Sequence, residues 1–386
     1  MAHVYLDYAA TTPVDTRVLD VMRPYFGEIF GNPSSVHTFG QQADAALQKA
    51  RRSMAELLRC QPQEVIFTSC GSESDNLALR GAALARREMG KGTHILISAV
   101  EHHAVSHTAS QLQDLFGFEV EIVPVDEYGM VHPEDVAERL HPDTAVVSIM
   151  HANNEIGTIN PIPEISKLCR EQGIPFHTDA VQGAAHYPLH VNDLEVDLLS
   201  IGAHKFYGPK GVGALYVKEG TPLVPTQTGG SQEFGKRAAT ENLPLIVGMA
   251  EAFRLVHEEG DQREEHTRGL RDRIISTVLN TIPDVSLTGH PQQRLPNHAS
   301  FACKDLDGNL LVSALDVEGF ACSSGSACKT GNPEPSAALQ AMGFGASWTM
   351  GTLRVTVGKD TTDDEVEQFL EVLPPVISRL RDLNQR

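Results

Sequence analysis

Between about residues 60 and 220 the chain alternates short β-branched runs with amphipathic stretches, and this alternation restricts the possible folds more than any other feature. Val65–Thr68, His94–Val100, Glu119–Val123, Ala145–Met150, Pro175–Thr178, Val196–Ser200 and Gly213–Val217 read as strands. Ser74–Met89, Ala104–Leu115, Pro133–Leu140 and Pro163–Gln172 carry apolar residues at helical spacing. Strands and helices in turn predict an α/β domain built on a largely parallel sheet. At 386 residues the chain is longer than one hydrophobic core usually serves. A helical pattern from about Pro244 to Leu279, with Gly260 as an interruption, leads towards a second unit. That unit holds the strands Ala299–Cys303 and Leu353–Val357 and a terminal helix Asp363–Leu383. We therefore expect a large domain and a smaller α+β domain.

Ligands of open α/β sheets bind beyond the carboxyl ends of the strands, so residues just after strands are candidates for chemistry. Phe176-His177-Thr178-Asp179 ends a strand on an acid, and Leu199-Ser200-Ile201-Gly202-Ala203-His204-Lys205 ends one on His-Lys before a Gly/Pro turn. An acid and a lysine so placed fit a pyridoxal-phosphate (PLP) site. The acid keeps the pyridine nitrogen protonated, and the lysine amine condenses with the cofactor's aldehyde. Taken singly, each residue fits a helix-capping Asp or a solvated Lys equally well. Phe67-Thr68-Ser69-Cys70-Gly71-Ser72-Glu73-Ser74 supplies a phosphate cradle, since a helix start offers free N–H groups and Ser72 a hydroxyl. The same segment also reads as an ordinary N-cap on Ser72 or Ser74.

Further segments join these in order. They are Leu6-Asp7-Tyr8-Ala9-Ala10-Thr11-Thr12, Gly31-Asn32-Pro33-Ser34-Ser35, Glu73-Ser74-Asp75-Asn76, Glu101-His102 and Met150-His151-Ala152-Asn153-Asn154-Glu155-Ile156-Gly157. Asp179-Ala180-Val181-Gln182, His204-Lys205, Ser323-Ser324-Gly325-Ser326-Ala327-Cys328 and Arg354 complete the set. With them the chain resembles the NifS/IscS-like cysteine desulfurases of the aminotransferase class V superfamily, nearly end to end. The resemblance implies a homodimer of PLP fold type I, with the large domain over 14–255 and the small domain made of 1–13 and 256–386. It also implies that sulfur is removed from L-cysteine, leaving alanine and a persulfide on Cys328.

The same resemblance assigns roles. Lys205 would carry the cofactor and then act as base towards the substrate's Cα proton. Asp179 would pair with the pyridinium, Gln182 would bond the phenolic oxygen, and Asn154 would lie near that oxygen and the substrate. His102 would stack on the ring and handle protons. Gly71, Ser72 and His204 would hold the phosphate, and Thr240 would reach the phosphate of the other subunit. Arg354 would clamp the substrate carboxylate with a bidentate fork.

Cys328 separates sulfur chemistry from transamination. Its loop, about 322–334, has no large apolar anchor between Ser323 and Pro333. We expect it to be exposed and mobile, which suits a nucleophile that visits the substrate and then an acceptor. Lys329 next to it would lower the thiol pKa, although a solvated lysine explains that residue as well. Cys60, Cys70, Cys169 and Cys303 lie in or beside regular segments and read as packing residues. Cys322 is the one rival thiol. Three positions depart from the family pattern: Gly202 for a usual Ser, Phe234 for a usual Arg, and Ala239 for a usual Gly. They put the phosphate contact and the loop leading to Thr240 in question.

A selenocysteine lyase or another class V aminotransferase-like enzyme would use the same cofactor set. Alanine formed without a keto acid would exclude a transaminase. A sulfur or iron scaffold is the reading from another class, but the six cysteines lack the paired spacing of a metal site. A formal net charge of -19 argues against nucleic acid and anionic membranes as partners. With no signal-peptide layout near Met1 we expect a cytoplasmic protein. Its sulfur acceptor would be an iron–sulfur scaffold or a thiolation protein; the sequence does not choose between them.

Overall fold

The computed structural model describes residues 3–325 and 335–384; Cys328 and most of its loop lie outside the described residues. In chain order the described strands are β1 (Val4–Tyr5), β2 (Val65–Thr68), β3 (His94–Ser98), β4 (Glu119–Val123), β5 (Thr144–Ser148) and β6 (Phe176–Asp179). They continue with β7 (Leu198–Gly202), β8 (Gly213–Val217), β9 (Val285–Leu287), β10 (His298–Cys303), β11 (Phe320–Ala321) and β12 (Thr352–Thr356). Seven of them form one sheet in the order β2-β8-β7-β6-β5-β3-β4. β8 runs antiparallel to both neighbours, and the rest of the sheet is parallel. The mixed α/β reading therefore holds. The central strands β3, β5, β6, β7 and β8 are buried along their whole length. This is why they read as continuous apolar runs and not as alternating ones.

Apolar residues pack against both faces of this sheet. One body includes Phe176, Phe206, Met249 and Phe253, and the other includes Leu77, Leu79, Ile95 and Leu112. A separate body joins Val4 and Leu6 to Leu270, Ile274, Phe301, Val355 and Phe369. There β9, β10 and β12 form an antiparallel sheet, and β1 pairs in parallel with β11. The first residues of the chain are thus packed with its last third.

The helix Leu243–Thr281 is continuous, so Gly260 does not interrupt it. One glycine costs a helix interior about 1 kcal/mol. The pairs Arg254–Glu258, Arg263–Glu259 and Arg268–Glu264, each one turn apart, flank the site and offset part of that cost. Its N-terminal half packs on the large sheet, and Leu270, Ile274 and Val278 pack with the smaller body. No helix among the described residues is long and apolar enough to cross a membrane.

Candidate active site

A cavity of about 440 Å³ opens at the carboxyl ends of the parallel strands, lined by Gly71, Ser72, His102, Asn154, Asp179, Gln182, His204, Lys205 and Arg354. Thus nine of the eleven residues singled out from sequence meet at one place. Thr240 does not: it is exposed and lines a separate hollow with Ser69, Arg237 and Glu241. Cys328 lies outside the described residues.

Lys205 follows β7 in a short 3-10 turn. Its Nζ donates to the carbonyls of Ala9 (2.6 Å) and Ala10 (2.8 Å). The turn is fixed by Thr12, whose hydroxyl donates to the His204 carbonyl (3.0 Å) and accepts from the Tyr207 N–H (2.8 Å). Burial pushes the Lys205 ammonium down to about 8, with Arg354 adding repulsion and Asp179 and Asp7 opposing it. A substantial neutral fraction near physiological pH is what a nucleophilic amine requires. Burial likewise holds His204 down to about 4.

The helix Gly71–Glu88 begins at the cavity, two residues beyond the turn that leaves β2. Its cap is neither Ser72 nor Ser74. The Cys70 Sγ accepts the Glu73 N–H (3.4 Å), and the Glu73 carboxylate holds the Ser69 N–H (2.7 Å) and Arg237 Nε (2.8 Å). The first-turn N–H groups of Gly71 and Ser72 have no intrahelical partner and border the cavity. A Cβ at Gly202 would sit 3.4 Å from the Gly71 N, so glycine there leaves that N–H open. Cys70 also lines the cavity, so it is not the simple packing residue expected, whereas Cys169 and Cys303 are buried as expected.

Sequence reasoning left the charge at the cavity floor unassigned. Asp75, on the inner face of its helix, is buried beside Asp179. A His102 ring nitrogen and one carboxylate oxygen from each of Asp75 and Asp179 lie within 4.8 Å of one another. Burial and the neighbouring Asp179 raise Asp75 well above the usual carboxylate range. Burial raises Asp179 as well, with His102 pulling it back. Glu101 goes up to about 8 through burial, although it accepts from the Ser98 hydroxyl (2.6 Å) and the Met150 N–H (2.8 Å). Asp75 Oδ1 has no hydrogen-bond partner. Three crowded acids, one with an orphaned oxygen, make a floor short of positive charge. Asp75 and Glu101 stand in segments that carry the resemblance, but only Asp179 receives a role from the sequence, because an acid within a helical pattern or just after a strand reads alone as a solvated group.

Arg354, on β12, donates to Asp7 Oδ1 (2.7 Å) and to the Asn154 carbonyl (2.8 Å). Its Nε is buried without a partner. β12 is tied to the start of the cysteine segment, because Ser323 and Arg354 exchange backbone bonds (3.2 and 2.7 Å). Gly325 borders the cavity, and on the far side of the segment the Ser336 hydroxyl donates to cavity-lining Glu155 (3.1 Å).

The loop that carries the family departures has its own anchor. Buried Glu233 receives a bidentate fork from Arg51 (2.7 and 2.7 Å) and the Phe67 N–H (2.9 Å). The Arg51 guanidinium lies between the rings of Phe67 (4.8 Å) and Phe234 (5.0 Å). Phe234 therefore acts as a cation–π shelf for this pair. Ala239 is held at φ +93°, where a Cβ is strained. Ala239→Gly should raise stability by about 1 kcal/mol, the relieved strain less the entropy of glycine. The urea midpoint would report the gain, and a lowered midpoint would refute the strain.

A sheet-end cavity with a buried lysine, a carboxylate floor and an open helix N-terminus defines an enzyme of the PLP-dependent fold type I class. The aminotransferase class-V family model matches residues 4–369. The cysteine desulfurase IscS of Dictyoglomus turgidum is 47% identical over 381 residues, covering 99% of this chain and 96% of that protein. Among solved structures, a NifS-like protein superposes with a TM-score of 0.91 at 36% identity, covering 98% of this chain and 100% of the other. SspA, solved in complex with cysteine, gives 0.81 at 32% identity, covering 93% and 99%. The chain belongs to the aminotransferase class-V family, and its activity is that of a PLP-dependent cysteine desulfurase. L-cysteine is its substrate. The residues present fit the cofactor: the orphaned Asp75 oxygen and raised acids match a protonated ring nitrogen, and the Gly71–Ser72 donors match a phosphate.

Proposed function

We propose that Lys205 holds the cofactor, that Asp179 bonds its ring nitrogen, and that Cys328 takes the sulfur. The observation that carries this reading is the meeting of Lys205, Asp179, His102 and Arg354 on one cavity, with both ends of the cysteine segment beside it. When bound, the cofactor supplies an electron sink for the substrate's α-carbon. The Gly71 and Ser72 N–H groups, the Ser72 hydroxyl and His204 would hold the phosphate, and Gln182, whose amide nitrogen donates to the Ala9 carbonyl (3.0 Å), would serve the phenolic oxygen together with Asn154. The Arg354 fork takes the substrate carboxylate by exchanging Asp7 for it. Lys205 Nζ, once released, receives the Cα proton, and His102 moves protons at the cavity wall. The Cys328 thiolate would attack the substrate sulfur: the S–S bond forms as the Cβ–S bond breaks, the pair of that bond stays with Cβ and takes up a proton, and the Cα proton is returned from Lys205, so that the carbon fragment leaves as alanine. Cys328 is the third residue after Gly325, a span of at most about 11 Å, so the thiol has the reach.

The working enzyme is a cytoplasmic homodimer in this reading, with Thr240 serving the partner's phosphate from its exposed loop. All five described cysteines are free thiols, in keeping with a reducing compartment. The large domain spans 14–255, and 1–13 with 256–386 form the small domain carrying Cys328. The persulfide passes to an iron–sulfur scaffold or a thiolation protein.

Arg354→Ala tests the carboxylate clamp. A fork that holds the carboxylate in ground and transition states alike contributes mostly uniform binding. KM for cysteine should rise more than tenfold, in line with about 1.5–3 kcal/mol for a charged hydrogen bond, while kcat changes less. An unchanged KM would remove Arg354 from the substrate site.

A further inference from the structure

At the opposite end of the large sheet from the cofactor cavity, three potential metal ligands converge. His94 is the first residue of β3, Glu121 lies in the middle of β4, and His141 sits in the turn before β5. One ligand atom from each lies within 4.8 Å of the other two. The His94 Nε2 is 3.4 Å and the His141 Nε2 3.8 Å from the same carboxylate oxygen, Glu121 Oε2. An ion about 2.0–2.1 Å from each of two tetrahedral ligands places them about 3.4 Å apart. The first distance already matches; the half-exposed His141 ring, now stacked on His94 at 4.4 Å, has to swing off that stack to aim its Nε2 at the ion.

His94 gives an independent indication. It is fully buried, yet its Nε2 has no hydrogen-bond partner. Its other nitrogen is 2.9 Å from the Thr144 hydroxyl oxygen, which also accepts the His141 N–H (2.8 Å). With Nδ1–H donating to Thr144, the Nε2 lone pair points at Glu121. This is the outer-sphere arrangement that fixes the tautomer of ligating histidines. Glu119 and Asp143 add negative potential around the group. Arg139 lies 3.5 Å from the other Glu121 oxygen, Oε1, which leaves Oε2 to the two histidines.

We propose that His94, Glu121 and His141 bind a divalent zinc ion, with water as fourth ligand, at a site separate from the cofactor. Two imidazoles and one carboxylate are a donor set for Zn²⁺ and not for the hard, all-oxygen sites of Mg²⁺ or Ca²⁺. The ion would staple edge strand β4 and the turn before β5 onto β3, and so would act on stability instead of on the reaction.

Equilibrium dialysis of the PLP-loaded enzyme against Zn²⁺ alone tests this. Wild type should bind one equivalent more than His141→Ala or Glu121→Gln, whatever zinc the active-site thiol also takes. Zinc should raise the thermal midpoint of wild type more than that of His141→Ala, because each folded-state site adds its own shift to the transition. His141 is partly exposed and far from the cavity, so His141→Ala should fold and keep full desulfurase activity in the absence of zinc. Equal zinc stoichiometry in wild type and His141→Ala overturns the site.

Discussion

Lys205→Ala abolishes both desulfuration and the yellow colour of the loaded enzyme. The side chain has two tasks, and alanine performs neither. In the proposed reaction it would fix the cofactor through Nζ and take the proton from the substrate's Cα. General acid–base assistance alone contributes about 10²–10⁴-fold, and loss of covalent attachment adds to that. The environment is built for this amine. Burial holds its pKa down to about 8, and the Ala9 and Ala10 carbonyls aim Nζ along the cavity wall. The variant should still fold, since a smaller neutral side chain relieves the desolvation of a buried ammonium. Borohydride reduction of the wild type followed by peptide mapping gives the direct test. A pyridoxyl group on any lysine other than Lys205 would sink the assignment.

Lys205 and Asp179 were legible because each follows a strand that the apolar runs had already located. The strands themselves read clearly because β3 and β5 to β8 are buried on both faces. What stayed hidden depends on contacts between distant parts of the chain. Arg354 and Asp7 pair across 347 positions, and Asp75 meets Asp179 only because a helix lies over the sheet. The Phe234 shelf under Arg51 needed the loop and the helix Thr38–Leu58 to be in place together. That helix went unread because much of its inner face is Ala and Gly, which mark no strong apolar stripe. Gly260 misled in the other direction. Its low helix propensity reads as an interruption, but the flanking ion pairs and packing at both ends outweigh one glycine.

Cys328→Ser should separate the two halves of the reaction. In the proposed reaction, binding cofactor and substrate and removing the Cα proton would rest on Lys205, Asp179, His102 and Arg354, all on the described cavity wall. The variant should therefore hold PLP, and its spectrum should still change when cysteine is added. It should release neither sulfide nor alanine, because a serine hydroxyl is a far poorer nucleophile towards sulfur than a thiolate. Loss of turnover with retained substrate binding is the expected signature. Two other thiols lie near enough to be rivals. Cys322 packs against the small-domain core, and burial, with Asp7 close by, pushes its thiol far above the usual range. It is held as the unreactive thiol. Cys70 lines the cavity but spends its sulfur on capping the helix Gly71–Glu88. Mass spectrometry after a single turnover, with the persulfide alkylated, locates the added sulfur. A label on Cys70 or Cys322, or alanine release by Cys328→Ser at the wild-type rate, would show that Cys328 is not the acceptor.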